Sequence, residues 1–252
     1  LTWTLGAYFQ DEDLGFPPGK FFIITNAGGQ YRLDGHNLRD NHAFFGQVSF
    51  NLPAGFQLQA GARYSESTTT NHGNINQFGL PLALDQREEF SNTSGKVSLN
   101  WTVDEHNFLY AFAATGFRPG GLNASVGLGA PAPFNSEHVK EYEIGWKSGM
   151  FGGHLRTQLD AFYNDYDDFQ VIIGYPAFPT FGFELNVPNT TKLYGVELQV
   201  EAVFGDFSLD AGMAQMQSDL GEFFAVDPRI GAFGACNPSP GPASASRINL
   251  DG

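Results

Sequence analysis

The sequence predicts an all-β fold: an antiparallel meander of about nine long strands, forming a segment of a transmembrane β-barrel. Three observations predict it. Apolar and polar residues alternate strictly along many segments, which is the period of a strand. Short and long connections between these segments also alternate. Aromatic residues make up 15% of the chain and charged residues only 16%, an unusual combination for a water-soluble protein.

The alternation is clearest over residues 56–65, where Phe, Leu, Ala and Tyr fill the even positions and Gln, Gly, Arg and Ser the odd ones. Residues 94–101 and 194–202 repeat this pattern, and weaker versions complete a set of nine strands. In chain order the predicted strands cover residues 2–12, 43–52, 56–65, 94–101, 107–116, 139–148, 155–171, 194–202 and 207–217.

The connections indicate how these strands are joined. Tight turns are predicted at residues 52–55, 103–106, 150–153 and 205–206, and long loops at 14–41, 68–89, 117–136, 174–189 and 220–247. Strands joined by tight turns run antiparallel, so all tight turns lie at one end of the sheet and all long loops at the other. Outer-membrane barrels have this asymmetry, with short periplasmic turns and long extracellular loops.

A soluble sandwich also alternates, so the alternation alone leaves two architectures open. The predicted strands exceed the usual length of about five or six residues, and their polar face suits a water-filled lumen. Aromatic residues cluster at strand ends, where a membrane interface favours them. They are Trp3, Phe9, Phe44, Phe45, Tyr64, Trp101, Phe108, Phe117, Trp146 and Tyr163. These features favour the membrane barrel over a soluble all-β domain.

Composition excludes several classes of function. The 13 Lys and Arg residues against 27 Asp and Glu give a net charge of −14, which argues against nucleic-acid binding. The single cysteine, Cys236, excludes an internal disulfide framework, and the six histidines show no metal-ligand spacing. The sequence shows no helical membrane span, no signal peptide and no catalytic motif. We therefore predict no enzyme activity and no cofactor, and we expect the chain to be a fragment.

Several segments carry a family likeness. They are residues 61–64 (GARY), 95–101 (GKVSLNW), 109–111 (LYA) with 116–123 (GFRPGGLN), 142–148 (YEIGWKS), 161–163 (AFY) with 166–170 (YDDFQ), and Asn189 with 194–198 (YGVEL). In this order and spacing they resemble strands of TonB-dependent outer-membrane receptors. The resemblance extends over essentially the whole chain.

The resemblance implies a 22-stranded barrel in the outer membrane of a Gram-negative bacterium, filled by an N-terminal plug. Residues 1–252 would be part of that barrel domain, without the plug, the TonB box, the earlier strands and the last strands. The implied function is active uptake of a scarce, bulky nutrient, most often a ferric siderophore. The implied partners are the TonB–ExbB–ExbD system, outer-membrane lipid and lipopolysaccharide, and the nutrient itself. A passive porin-type channel and a soluble carbohydrate-binding domain are the alternatives.

Few residues point to a site. The loop at 117–136 is the place where ligand contacts are expected, and Arg118 and Asn123 are its candidate donors. The same residues could instead only shape a strand exit. Asp165, Asp167 and Asp168 are calcium candidates, with solvated carboxylates as the alternative. A charged inner wall is expected from Glu141, Glu143, Lys147, Glu197 and Glu201.

Overall fold

The computed structural model describes residues 1–15, 22–26, 29–77, 79–123, 133–175, 178–222, 224–226 and 247–249. Within these ranges the chain forms fourteen strands and no helix longer than a single turn. The strands are β1 (Thr2–Gly15), β2 (Phe22–Asn26), β3 (Gly29–Asn51), β4 (Phe56–Gln77), β5 (Leu80–Thr102), β6 (Asn107–Arg118), β7 (Glu137–Met150), β8 (Leu155–Asp167), β9 (Gln170–Tyr175), β10 (Phe178–Asn186), β11 (Thr191–Phe204), β12 (Phe207–Asp219), β13 (Phe224–Val226) and β14 (Arg247–Asn249). Cys236 and most of the predicted loop at 220–247 lie outside the described residues.

Nine strands form one antiparallel meander in the order β1-β3-β4-β5-β6-β7-β8-β11-β12. They coincide with the nine strands that the sequence predicts. Strand β2 continues the edge beside β1 by pairing with β3, while β9 with β10 and β13 with β14 form separate hairpins. The predicted all-β meander is confirmed, and in the part of the chain that the structure describes it is an open, curved segment.

The four predicted tight turns are confirmed, and they lie at the same end of the sheet. They join β3 to β4, β5 to β6, β7 to β8 and β11 to β12. Left-handed backbone conformations make these reversals possible, as at Gly55 (φ 81°) and Gly205 (φ 60°). The Trp101 side chain ties one turn to the neighbouring strand, because its indole N–H donates to the carbonyl oxygen of Ala54 at 3.2 Å.

Three of the predicted long loops are wrong for much of their length. Residues 29–41, 68–77 and 80–89 are paired strand, and β9 and β10 occupy most of 174–189. The reason is that no regular alternation marks these extensions: residues 68–74 are polar on both faces and residues 80–84 are apolar on both. The threonines at 68–70 nevertheless pair well in a sheet. The predicted strand at 155–171 also divides in two, because Asp168 adopts a left-handed conformation (φ 55°) between β8 and β9.

One face of the sheet is apolar and exposed. Residues paired across neighbouring strands share a face, so the register carries this face through all nine strands. Leu58 pairs with Leu99, and their exposed fractions are 36% and 44%. Other exposed residues of this outer face are Trp3, Leu5, Phe9, Phe44, Val97, Tyr142, Ile144 and Met213. Among the described residues, the buried apolar side chains are only Ala43, Ile75, Leu84, Phe183, Val187 and Ala202. A soluble sandwich would bury its apolar face, so this sheet is built to contact lipid.

Aromatic residues border the apolar face at both ends. Near the turns, the rings of Phe56 and Trp101 stack with centroids 5.0 Å apart. At the opposite end, Tyr163 and Tyr194 stack with centroids 6.0 Å apart. The matching position on β4 is Tyr64, and the stretch from Phe56 to Tyr64 rises about 26 Å along the strand. Its nine residues are about the number that a tilted strand needs to cross the apolar core of a membrane.

Two of the aromatic residues predicted for the membrane interface lie on the other face. Phe45 pairs with Arg63, and Phe108 pairs with Lys147, which places both rings on the polar inner face. Position near a strand end does not determine the face, because the face alternates with every residue. Among the described residues, no helix is long and apolar enough to cross a membrane.

Candidate ligand-binding site

A polar cavity of about 510 Å³ lies on the inner face at the end opposite the tight turns. One wall comes from β1, β3 and β4, and the other from the connection after β6 and the β9–β10 hairpin. We call it the mouth cavity. Its polar lining consists of Gln10, Glu12, Asn37, Arg39, Asn41, Ser67, Thr69, Arg118, Asn123, Gln170 and Glu184.

The connection after β6 bends back over the inner face of β5. Gly121 and Phe134 exchange two backbone hydrogen bonds, at 3.1 and 3.0 Å, which close the base of this connection. A Cβ atom on Gly120 would collide with the carbonyl oxygen of Phe134 and with the ring of Phe90. Glycine is therefore needed at this position for close approach. This geometry supports the interpretation that the glycine pair shapes a strand exit.

Arg118 and Asn123, the two predicted ligand contacts, both bind Glu184 of β10. The Asn123 amide donates to the backbone carbonyl of Glu184 at 2.8 Å and accepts from its backbone N–H at 2.9 Å. The Arg118 guanidinium donates to the Glu184 carboxylate at 2.7 Å. We call these three interactions the Glu184 clasp. Arg118 is more than half exposed and lines the mouth cavity, so a ligand contact by Arg118 stays a prediction.

A buried amide network holds the same hairpin from below. The Gln170 side chain is only 6% exposed, and its Nε2 donates to the carbonyl oxygens of Pro119 and Asn135 at 3.0 and 2.9 Å. The Asn186 amide donates to the carbonyl oxygens of Asn135 and Asp168 at 3.0 and 2.7 Å. The sequence did not predict Gln170, Glu184 and Asn186 as site residues. No motif around a residue indicates that its hydrogen-bond partner lies far away in the chain.

Two arginines of the wall have no acidic partner in the described part of the chain. The Arg39 Nε donates to the Asn37 side chain at 2.9 Å. The Arg63 guanidinium lies over the rings of Tyr8 and Phe45, at 5.4 and 5.8 Å from their centroids. Among the described residues, no carboxylate lies within 4.0 Å of either guanidinium. Arg63 lines a second cavity of about 430 Å³ that adjoins the mouth cavity, so the wall offers positive charge to an anionic ligand.

The predicted charged wall lies on the inner face as expected. Register places Glu143 and Lys147 on the inner face of β7, and Glu197 and Glu201 on that of β11. Glu141 lies on the same face of β7. The Glu143 carboxylate accepts a hydrogen bond from the Tyr110 hydroxyl at 2.7 Å.

The three calcium candidates lie at the mouth end of β8, beyond the aromatic border. The Asp167 carboxylate accepts from Lys140 Nζ at 3.1 Å and from the Thr190 hydroxyl at 3.0 Å. These two donors hold the pKa of Asp167 below its ordinary value. Asp165 pairs in register with Lys140, and Asp168 follows in the bend. In the described ranges no three His, Cys, Asp or Glu side chains converge as a metal site requires, so calcium binding stays a prediction.

Comparison with known proteins identifies the family. The family model described as "TonB dependent receptor-like, beta-barrel" matches residues 1–232. The ferric yersiniabactin uptake receptor FyuA from Yersinia pestis is similar in structure, with a TM-score of 0.68 and 20% identity over 86% of this chain and 32% of that chain. The ferric-catecholate import receptor Fiu from E. coli K12, in its closed form, gives 0.67 and 15% over 90% and 36%.

The Serratia marcescens hemophore receptor HasR, solved with its hemophore HasA and heme, gives a TM-score of 0.58 and 14% identity over 97% of this chain and 46% of that chain. The chain thus spans about a third of the length of FyuA and Fiu. The family match confirms the outer-membrane location and the assignment to receptors, as opposed to enzymes. The chain belongs to the TonB-dependent receptor family, as part of its outer-membrane β-barrel.

Proposed function

We propose that the chain is a barrel segment of a receptor that takes up a scarce, bulky nutrient with energy supplied by the TonB–ExbB–ExbD system. The observation that carries the proposal is the family match over residues 1–232. The position of the mouth cavity supports it, because the cavity opens at the end opposite the short periplasmic turns. Coupling to TonB would come from a region of the receptor outside residues 1–252.

We propose a ferric siderophore as the nutrient. Siderophores hold Fe³⁺ through carboxylate, hydroxamate or catecholate oxygens, and many of the resulting complexes carry net negative charge. Arg39 and Arg63 offer charge of the opposite sign, and no carboxylate of the described residues lies within 4.0 Å of either guanidinium. Of the three similar structures described above, FyuA and Fiu are named for ferric yersiniabactin and ferric catecholates, and HasR was solved with heme. Two of the three therefore support a ferric siderophore.

Uptake by cells tests the function. The gene for the full receptor would be deleted from its host, and transport of radioiron-labelled ferric siderophores would be measured with and without TonB. We expect uptake of one siderophore class to require both the receptor and TonB. Uptake that persists without TonB would instead indicate a passive porin-type channel. Receptor-dependent growth on haem, without uptake of any siderophore, would show that the nutrient is haem and not a siderophore.

We also propose lipopolysaccharide as a partner of the outer face beyond the aromatic border. Carboxylates project there from neighbouring strands, among them Asp11, Asp40 and Glu66. Divalent cations could bridge them to lipopolysaccharide phosphates. If so, less lipopolysaccharide should co-purify with the receptor after extraction with EDTA than after extraction with magnesium. Equal amounts would argue against the bridge.

A further inference from the structure

The Glu184 clasp holds the backbone and the side chain of Glu184 through different residues. The Asn123 amide fixes the backbone N–H and carbonyl of Glu184 at 2.9 and 2.8 Å, and Asn123 is only 6% exposed. The Glu184 carboxylate is bound instead by Arg118, at 2.7 Å. The main chain of Glu184 therefore stays in place whether or not the carboxylate keeps its partner.

The hairpin has further attachments that do not involve this ion pair. Gln170, at the start of β9, and Asn186, at the end of β10, donate four hydrogen bonds to backbone carbonyls of the neighbouring segments. These bonds do not change when the Glu184 side chain rotates. The carboxylate can therefore leave Arg118 without releasing β10.

The ion pair is accessible from the mouth cavity. The Arg118 side chain is 56% exposed and that of Glu184 is 21% exposed, and both residues line the cavity. The pair has one hydrogen bond, from one guanidinium nitrogen to one carboxylate oxygen. It does not use the two parallel hydrogen bonds that make arginine–oxyanion pairs strong. An oxyanion that binds through two oxygens can therefore compete with Glu184 for Arg118.

The charges in the described lining of the mouth cavity balance. The lining contains two arginines, Arg39 and Arg118, and two acids, Glu12 and Glu184. Glu12 lies opposite Arg39 in register, and Glu184 binds Arg118 directly. A balanced lining attracts an anion only weakly, so an acidic ligand gains most by replacing one of the two carboxylates. Glu184 is the carboxylate that is in contact with its arginine.

We propose that Glu184 is a specificity-determining residue: its carboxylate occupies the Arg118 guanidinium until an acidic group of the ligand takes its place. The proposal rests on the proposed function in uptake and deepens it by naming the group that the ligand displaces. A ligand with a single, singly bound acidic group would only exchange one such contact for another. The site therefore favours oxyanions that bind a guanidinium through two oxygens and carry further acidic groups.

Chemical protection of Arg118 in the purified full receptor tests the proposal. Phenylglyoxal modifies accessible guanidinium groups, and peptide mass spectrometry follows the modification of Arg118 by itself. The probe ligand is citrate, a tricarboxylate, titrated at constant ionic strength. We expect citrate to protect Arg118 from modification. Glu184→Gln should lower the citrate concentration for half protection about threefold, because the competing carboxylate is gone.

Two variants serve as controls. Glu12→Gln removes the same charge from the same cavity, but Glu12 lies opposite Arg39, so half protection of Arg118 should need nearly the same citrate concentration as in the wild type. Glu184→Asp keeps the charge on a side chain that is one methylene shorter. Because Asn123 fixes the backbone, the shorter side chain loses its contact with Arg118, and protection should shift in the same direction as in Glu184→Gln.

Four results would overturn the proposal. Absence of protection by citrate in both the wild type and Glu184→Gln would exclude Arg118 as an anion site. Equal half-protection concentrations in these two proteins would show that Glu184 does not compete. An equal shift in Glu12→Gln would reduce the effect to net charge. Faster deuterium exchange of β10 in Glu184→Gln would assign the shift to a displaced hairpin.

The outcome is independent of transport. Protection of Arg118 needs neither TonB nor uptake, so a failure of the proposed function would appear as lost uptake in cells and leave this measurement unaffected. Conversely, a receptor that takes up a siderophore but shows the same protection with and without the Glu184 carboxylate would keep its proposed function and lose this inference.

Discussion

Gly145 illustrates how single residues fit the inner face. It lies opposite Tyr110 on the neighbouring strand, and a Cβ atom added to it would enter the Tyr110 ring. We expect Gly145→Ala to lower the free energy of unfolding by about 1–3 kcal/mol, because the ring must move.

Gly149→Ala is the control, since a Cβ there meets nothing within 4 Å. In a Tyr110→Ala background the cost of Gly145→Ala should fall towards zero; an unchanged cost would show that the ring is not its cause.

Asp104 gives one turn a pH dependence. The backbone N–H of His106, the Asn107 side chain and the Asn107 backbone N–H all donate to its carboxylate and lower its pKa. A lowered pKa contributes stability that is present above the unfolded value of about 3.9 and is lost as the pH falls through the folded value. Asp104→Asn should therefore be less stable than the wild type at pH 7, and the difference should be smaller at pH 3, below the unfolded pKa of about 3.9. Urea unfolding at both pH values measures this.

A control separates Asp104 from charge in general. Glu105, beside it, is highly exposed, and its carboxylate lies 3.7 Å from His106. Glu105→Gln should leave the unfolding free energy nearly unchanged at both pH values. A loss as large as that of Asp104→Asn would mean that the turn responds to net charge and not to its hydrogen bonds.

At the scale of the elements, the β9–β10 hairpin depends on the Glu184 clasp. Asn123→Ala removes two hydrogen bonds between the connection after β6 and β10. We expect the backbone amides of β10 to exchange with deuterium about tenfold faster or more. Arg118→Gln should have a smaller effect, because its ion pair is partly exposed and the amide pair remains. Equal exchange in wild type and Asn123→Ala would show that the buried network around Gln170 holds the hairpin alone.

The elements also show what the sequence could predict. The nine strands and four tight turns were predictable, because the outer face must be apolar wherever it meets lipid. The extension of β4 was not, since outward Thr68 and Thr70 are as polar as inward Thr69 and Asn71. Arg118 and Asn123 stand out in a glycine-rich segment. Glu184, which binds both of them, could not be predicted from the sequence, because it lies 61 residues beyond Asn123 in the chain.

The two faces of the sheet are suited to different surroundings: the outer face to lipid and the inner face to water. Its mean hydropathy is only −0.22, because an apolar outer face and a polar inner face average out. Leu198 pairs with Leu159 and Met213 on the outer face, while Gln199 faces inward. Leu198→Arg should destabilise the receptor in lipid vesicles by about 2–4 kcal/mol. Gln199→Arg should be tolerated. Equal tolerance at the two positions would contradict the division of faces, and the folded fraction on a heat-modifiability gel measures it.

Strands β3, β4 and β5 continue far past the aromatic border. From Tyr64 to Gln77, β4 rises roughly 40 Å more as paired sheet. Because these extensions are already ordered as paired sheet, they lose little conformational entropy when a ligand binds. A solute arriving from outside therefore meets donors whose positions are already fixed, and capture there costs mainly the solute's own translational and rotational entropy.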